Sequence, residues 1–255
     1  MEIAWDVVKK FSPFSSTNDL ISNNGCFLPI IYEDENIFSL HKFSGIPSEP
    51  LKKETETALG AALAHVKTVF PLHRLDTATS GLLLYAKSKL EFERLRKAWK
   101  NQQVRKIYRA LVKFNGRSSY GVDKYNLLDH LRLPYEINFP IGHSIKSKKK
   151  MIVKVATSKK NSIRGRWYPA KTIILGVKQL SPECFDLEIE IKTGVMHQIR
   201  CHLCNLGFSV IGDTVYRGEQ NLAFGLHAWK LNIPLRDGID LALISQLPAW
   251  WGTLK

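Results

Sequence analysis

Apolar positions cluster in short runs from residue 28 onward, and the spacing within those runs switches between strand-like and helix-like periods. Residues 28–32 and 37–41 are apolar or β-prone and flank Glu33-Asp34-Glu35-Asn36, which predicts two strands joined by a polar turn. Lys42-Phe43-Ser44-Gly45-Ile46-Pro47 then breaks regular structure. Within residues 54–66, Leu59, Ala62, Leu63 and Val66 recur at helical spacing. Residues 82–86 read as a short buried strand. Ser88-Lys89-Leu90-Glu91 has the form of a capping box, in which the Ser hydroxyl and the Glu carboxylate each take a free N–H at a helix start; Phe92, Leu95 and Trp99 mark the face that follows. Residues 106–112 predict a strand with Lys106, Tyr108 and Ala110 on one side and Ile107, Arg109 and Leu111 on the other.

The clearest alternation is Phe185, Leu187, Ile189 and Ile191 against Asp186, Glu188, Glu190 and Lys192, the pattern of a half-buried strand. Residues 196–206 predict a helix with Ile199, Leu203 and Leu206 inward and Gly207 as its stop. Arg200 then falls about 100° around the axis from Ile199, off the apolar face. Residues 222–233 are strand-like. Residues 1–27 are mixed and Ser/Asn-rich, an irregular lead-in, and residues 28–255 read as one domain without repeats or linkers. Many strands with few helices predict an α+β fold around a largely antiparallel sheet.

Composition narrows the class. Of 255 residues, 44% are hydrophobic and 24% charged, which excludes a disordered or fibrous chain. No apolar run reaches the roughly 18 residues of a spanning helix, and the first residues lack a basic-then-apolar signal pattern. Cys26, Cys184, Cys201 and Cys204 are irregularly spaced, which points to reduced thiols in a cytoplasm rather than a secreted disulfide framework. Lys and Arg number 37 against 23 acids, a net charge of +14 that attracts polyanions. Nucleic acid is the first partner to consider; a basic amphipathic helix that would favour a membrane surface is missing from the pattern. Lys146, Lys148, Lys149, Lys150, Lys154, Lys159, Lys160, Arg164, Arg166 and Lys171 crowd residues 144–171, with Trp167 and Tyr168 among them. That mixture suits an RNA-contacting arm, with a solvated loop as the plain alternative.

Three segments hold candidate chemistry. His73-Arg74-Leu75-Asp76-Thr77-Ala78-Thr79-Ser80-Gly81 sets a carboxylate two residues from a guanidinium, then hydroxyls and a glycine, a sequence that either holds an ionised Asp beside a ligand or forms an ordinary Asx turn. Tyr108 could stack on a base, accept a proton or serve only as a core tyrosine. Thr193-Gly194-Val195-Met196-His197-Gln198-Ile199-Arg200-Cys201-His202 carries an Arg at a helix flank, able to pair with a carboxylate or remain solvated. His197, Cys201 and Cys204 also have metal-ligand spacing, but a second C-x-x-C is missing, so buried thiols are the simpler reading. Phosphate loops, dinucleotide fingerprints and the zinc deaminase signature are absent.

Together the blocks resemble the RluA-type pseudouridine synthases. The run His73-Arg74-Leu75-Asp76-x-x-Thr79-Ser80-Gly81-Leu82-Leu83 is similar to that family's signature. Ile31 to Asn36 with His41-Lys42-x-x-Gly45, Lys106-x-Tyr108-x-Ala110, Thr193-Gly194-x-x-His197-Gln198-Ile199-Arg200-x-His202, Gly212-Asp213 with Tyr216, and Leu226-His227-Ala228 resemble its other blocks in the same order. Three positions depart: Phe43 stands where the family has Pro, and Val195-Met196 where it has Arg-Thr.

The resemblance implies the pseudouridine synthase fold, with a mixed sheet, flanking helices and a central catalytic cleft. It implies isomerisation of uridine to pseudouridine in structured ribosomal or transfer RNA with no cofactor and no metal; the lack of an extended apolar repeat or coiled coil in the sequence points to a monomer with no obligate protein partner. Asp76 matches the catalytic aspartate, Tyr108 the active-site tyrosine, and Arg200 the basic residue that pairs with that aspartate. Arg74 matches an arginine that fills the space of the flipped nucleotide. His73, Thr79, Lys42, Lys106, His197, Gln198 and the Lys148, Lys149, Lys150 run are the expected RNA contacts. Two routes stay open for Asp76: a covalent ribosyl ester, or removal of a ribose proton. A catalytically silent RNA-binding protein on the same fold is the competing reading, and a zinc-stabilised nucleic-acid binder a third.

Overall fold

The computed structural model describes residues 20–23, 26–50, 56–116, 132–156, 158, 162–221, 223–236 and 238–252. In chain order these form β1 (Leu20–Asn23), β2 (Cys26–Glu33), β3 (Ile37–Lys42), α1 (Ala58–His65), β4 (Phe70–Pro71), β5 (Ser80–Ala86), α2 (Lys89–Lys100) and β6 (Arg105–Phe114). They continue as β7 (Tyr135–Ile137), β8 (Ile141–Ser144), β9 (Met151–Val153), β10 (Ile163–Tyr168), β11 (Thr172–Gln179), β12 (Cys184–Ile191) and α3 (Gln198–Leu206). The last are β13 (Phe208–Val210), a 3-10 turn at Thr214–Tyr216, β14 (Leu226–Pro234), β15 (Asp240–Ile244) and a final 3-10 turn at Ala249–Gly252. Among the described residues no helix is long and apolar enough to cross a membrane. The α+β class holds, and within the stretch read as one domain two compact units are distinguished. One runs up to Lys106 and takes in His227–Leu247; the other is Ile107–Leu226 with the segment from Pro248.

In the first unit the strand order is β1-β2-β3-β5-β14, with β4 also on β5 and β15 also on β14. The expected turn between β2 and β3 forms because Asp34 Oδ1 accepts from the amides of Asn36 and Ile37, each at 2.7 Å. The lead-in is not wholly irregular: β1 pairs antiparallel with β2, Asn23 opposite Cys26. β5 is buried at every residue, as a continuous apolar run requires when both faces are covered. It pairs antiparallel with β3 and parallel with β14, Gly81 opposite Ala228. A side chain is excluded there: Gly81 has φ +111°, and a Cβ would stand 2.3 Å from the Ala228 carbonyl oxygen. Leu82 and Leu84 join Leu95 of α2 and Leu231, Ile233 and Leu241 in one core.

Both helices of this unit correct the sequence reading. α2 starts on Ser88, whose hydroxyl accepts from Glu91 N at 3.2 Å, but the Glu91 carboxylate does not return to the cap. It is buried and receives Arg94 at 2.6 Å and Arg236 at 2.9 Å. Two guanidinium groups outbid one amide for a carboxylate. α1 buries Ala58, Ala61 and Ala62, whereas Leu63 of the expected stripe is exposed.

The second unit contains β6-β12-β11-β7, with β13 on β6, and a separate three-stranded antiparallel sheet ordered β10-β8-β9. β12 is not half-buried: Asp186 and Glu190, on its polar side, are buried as well. Asp186 accepts Arg109 Nε at 3.0 Å and Trp251 Nε1 at 3.1 Å, and Glu190 takes Lys192 at 2.6 Å. α3 is buried nearly all round, Arg200 included, and Gly207 closes it at φ +96°. It begins at Gln198 rather than Met196, because the Gln198 Oε1 captures the Thr193 hydroxyl at 2.7 Å and the Val195 amide at 3.2 Å. β14 starts at Leu226, four residues later than the apolar pattern suggests.

Candidate active site

Asp76 lies in the first unit, in the connection that leads into β5. The turn closes through Thr79 N to Asp76 O at 3.0 Å. Its backbone is then tied, residue by residue, to the segment that follows β3. Ser48 Oγ accepts from Leu75 N at 3.0 Å and donates to Leu75 O at 2.9 Å. Thr77 O receives Gly45 N at 2.9 Å and Lys42 Nζ at 2.9 Å. Ser44 Oγ donates to Ala78 O at 2.6 Å. Carbonyls on both sides of Asp76 are therefore held by Lys42 and the segment that follows it, a cradle that fixes the carboxylate's origin.

Lys42, expected as an RNA contact, is central to that cradle and buried rather than exposed. It is fully buried, and its ammonium also donates to Phe43 O at 3.0 Å and Ile46 O at 2.7 Å. Phe43, in the family's proline position, is half-exposed and packs its ring 5.0 Å from His41. Thr79 and Ser80 are buried, and Ser80 Oγ lies 2.8 Å from His227 Nδ1. His41, 2.6 Å from Ser245 Oγ, is pushed down to about 4 by burial and then by the Lys42 charge, so it is neutral at pH 7.

His73 is also corrected. Its Nε2 accepts from Leu84 N at 3.2 Å, its ring stacks on Trp99, and burial followed by the Lys106 charge takes it down to about 3. A neutral ring that accepts from a backbone amide supports β5. Arg74 is different: its side chain is 71% exposed and meets Glu49 at 3.1 Å, a position open to RNA.

Arg200 lies in the second unit and is 6% exposed. Its Nε and Nη2 donate to the two oxygens of Asp213 at 2.6 and 2.8 Å, a bidentate pair. Its Cζ stands 5.1 Å from the Tyr216 ring centre and 5.3 Å from that of Phe224. Asp213 Oδ1 further accepts the amides of Val215 and Tyr216 at 3.2 and 3.3 Å. Sequence reasoning matched Asp213 and Tyr216 to motif blocks but gave them no role; a Gly-Asp followed by Tyr three residues on was the only signal.

Gln198 is corrected in the same way as Lys42. It is buried, and its Nε2 donates to Lys171 O at 2.9 Å and Thr172 Oγ1 at 3.0 Å. Thr172 Oγ1 stands 2.9 Å from His202 Nδ1, and His202 Nε2 2.9 Å from Phe139 O. The carbonyl can only accept, so Nε2 carries the proton and Nδ1 accepts from Thr172. Tyr108 and Lys106 are both buried on β6. His197 takes a left-handed φ of 56° as the residue that caps α3. The Cys201 thiol is pushed up to about 12 by burial, which keeps it protonated.

The basic segment folds largely as the β10-β8-β9 sheet; Lys159 and Lys160 lie outside the described residues. Lys148 and Lys149 are exposed between β8 and β9, whereas Lys150 is half-buried with Nζ 5.3 Å from the Tyr216 ring centre.

Comparison with known proteins agrees with these blocks. A family model described as RNA pseudouridylate synthase matches residues 36–205. Ribosomal large subunit pseudouridine synthase D of Borreliella burgdorferi is 28% identical over 95% of this chain and 72% of its own length. The dual-specificity RNA pseudouridine synthase RluA of Haemophilus influenzae is 28% identical over 81% of this chain and 87% of its own. Human RNA Pseudouridylate Synthase Domain Containing 1 shares the fold, with a TM-score of 0.67 at 21% identity over 87% of this chain and 84% of its own. With the family model covering more than half of its length, the chain belongs to the RNA pseudouridylate synthase family, as an RluA-type RNA uridine isomerase.

Proposed function

We propose that this enzyme isomerises specific uridines in structured ribosomal or transfer RNA, with Asp76 as its catalytic aspartate. The observation that carries the reading is the cradle of Lys42, Ser44, Gly45 and Ser48 around the Asp76 turn. A carboxylate that must meet one ribose carbon gains most from a backbone that cannot drift. Tyr108 and Arg200 take the roles that the resemblance assigns them. The N1–C1′ bond breaks, the uracil turns while held, and C5 joins C1′. The C5 proton leaves to water and N1 is protonated, so the product has the composition of the substrate. The target uridine must leave its stack, at a cost of a few kcal/mol that phosphate contacts offset.

The test is release of tritium from 5-³H-uridine in unmodified ribosomal and transfer RNA. Release in proportion to enzyme is expected, and the fraction that responds names the substrate class. Absence of release from both fractions, with RNA still bound, would replace the proposal with the silent binder.

Two further outcomes are expected. Tyr108→Phe slows single turnover about tenfold with RNA affinity within about twofold, because only the hydroxyl is lost; unchanged turnover leaves Tyr108 a stacking role alone. Replacing Lys148 and Lys149 with Ala lowers the slope of log K against log salt by about 1.4 to 1.8, at about 0.7 to 0.9 for each phosphate contact. An unchanged slope in filter binding would remove this loop from the RNA interface.

A further inference from the structure

We propose that Tyr216 is a positioning residue that couples the RNA-facing loop between β8 and β9 to Arg200. The inference rests on the reading of Arg200 as part of the catalytic machinery and of Lys148 and Lys149 as RNA contacts. Tyr216 is buried, and the hydroxyl of this one side chain meets two elements. It accepts from Met151 N, the first amide of β9, at 2.8 Å, and lies 3.1 Å from Nδ1 of His197, the cap of α3. Its ring has the Lys150 ammonium 5.3 Å from its centre and the Arg200 guanidinium 5.1 Å from it. Its amide is bound at 3.3 Å by the Asp213 carboxylate that grips Arg200.

The loop itself is stiff. Ser144 N donates to Lys150 O at 2.9 Å, Lys146 N to Ser144 Oγ at 3.2 Å and Lys149 N to Ser147 Oγ at 3.3 Å. Arg164 Nε holds Ser144 O at 3.1 Å from the neighbouring strand β10. A phosphate drawn to Lys148 or Lys149 therefore pulls on a unit that includes Lys150 and Met151, and both end on Tyr216. On the other side, His197 is held at a left-handed φ of 56°, a conformation that strains a residue with a Cβ and persists only where neighbours enforce it. The Tyr216 hydroxyl is one such neighbour. RNA on the loop thus sets the start of α3, and with it the guanidinium three residues beyond the cap.

Tyr216→Phe is the test, since it removes the hydroxyl and keeps the ring beside both cations. It is examined alone and with Lys148→Ala and Lys149→Ala, on the 5-³H-uridine RNA fraction that releases tritium. Tyr216→Phe is expected to lower the saturating single-turnover rate about tenfold while RNA affinity stays within about twofold. The lysine changes lower both affinity and saturating rate in the unaltered protein. In the Tyr216→Phe background they lower affinity alone. Rate losses that multiply, or an unchanged rate in Tyr216→Phe, would overturn the coupling.

Hydrogen exchange supplies a readout independent of turnover. RNA binding is expected to slow exchange at the first amides of α3, and Tyr216→Phe to remove that protection while RNA stays bound; protection that survives would overturn the proposal. His197→Asn cuts the same link from the other side with a residue that tolerates the left-handed φ, and loss of the RNA-induced protection at the first amides of α3, read at saturating RNA, is its expected outcome should Tyr216→Phe fold poorly. Lysine changes without effect on affinity would also overturn it, yet leave tritium release by the unaltered protein, and so the isomerase reading, in place.

Discussion

Asp76→Asn is expected to abolish tritium release while leaving the protein folded and RNA bound. Asn matches Asp in shape, so the substitution removes charge and basicity without opening a void. The bonds that hold the turn run through the backbone of Leu75, Thr77 and Ala78 to Ser48, Lys42, Gly45 and Ser44. None of these uses the Asp76 carboxylate, so the turn persists in the variant. A carboxylate that either bonds C1′ or removes a ribose proton, as proposed for Asp76, has no substitute in a neutral amide. The rate is expected to fall by about 10⁴-fold or more, about 5.5 kcal/mol of transition-state stabilisation. Affinity for RNA should stay within about tenfold, 1.4 kcal/mol. Single-turnover release beside filter binding checks both, and release at the unaltered rate would take the catalytic role from Asp76.

Asp213→Ala has the largest expected effect on stability. Arg200 is buried, and its two strong hydrogen bonds to Asp213 vanish together with the acceptor for the amides of Val215 and Tyr216. Breaking a buried pair by deleting one partner costs about 3–5 kcal/mol, since the remaining buried charge loses a bidentate acceptor. Against a total of about 5–15 kcal/mol this is a large share. Urea unfolding should show a lower midpoint at an unchanged slope. Asp213→Asn keeps an acceptor for the amides and should fall between the two. A loss of less than about 1 kcal/mol in Asp213→Ala would mean that the carboxylate does not hold the guanidinium.

The elements most legible in the chain were those whose cause is local. The β2–β3 turn, the Ser88 cap and the Gly207 stop each depend on residues within a few positions, and each forms. The β1–β2 pairing was equally local, because Asn24-Gly25 between Asn23 and Cys26 is the residue pair favoured in two-residue hairpins. The composition of residues 1–27 masked it. What the pattern could not reveal was which polar positions face protein rather than water. The alternation in β12 predicts a wet face, but Arg109, Trp251 and Lys192 cover it with partners for Asp186 and Glu190. Lys42 and Gln198 mislead in the same way. Motif residues of the right type near a site read as ligands, and only the fold reveals that these two are buried and hydrogen-bonded within the protein. Arg200 was placed correctly on its helix, but its carboxylate lies 13 residues away in a segment without periodicity.

The parallel pairing of β5 with β14 has a consequence for how the protein is made. Ser80 meets His227 across a sequence separation of 147 residues, and the adjacent Gly81 accepts only backbone as a neighbour. Contacts so distant are closed late, after local hairpins have formed, because the chain entropy between them must be surrendered first. During synthesis the strand that follows Asp76 therefore emerges with its far end already covered by residues 70–73, while its Ser80–Gly81 end stays open on one edge until the ribosome has released β14. The segment proposed to carry the chemistry is thus among the last to become native, and a chaperone that shields exposed strand edges would find its target there.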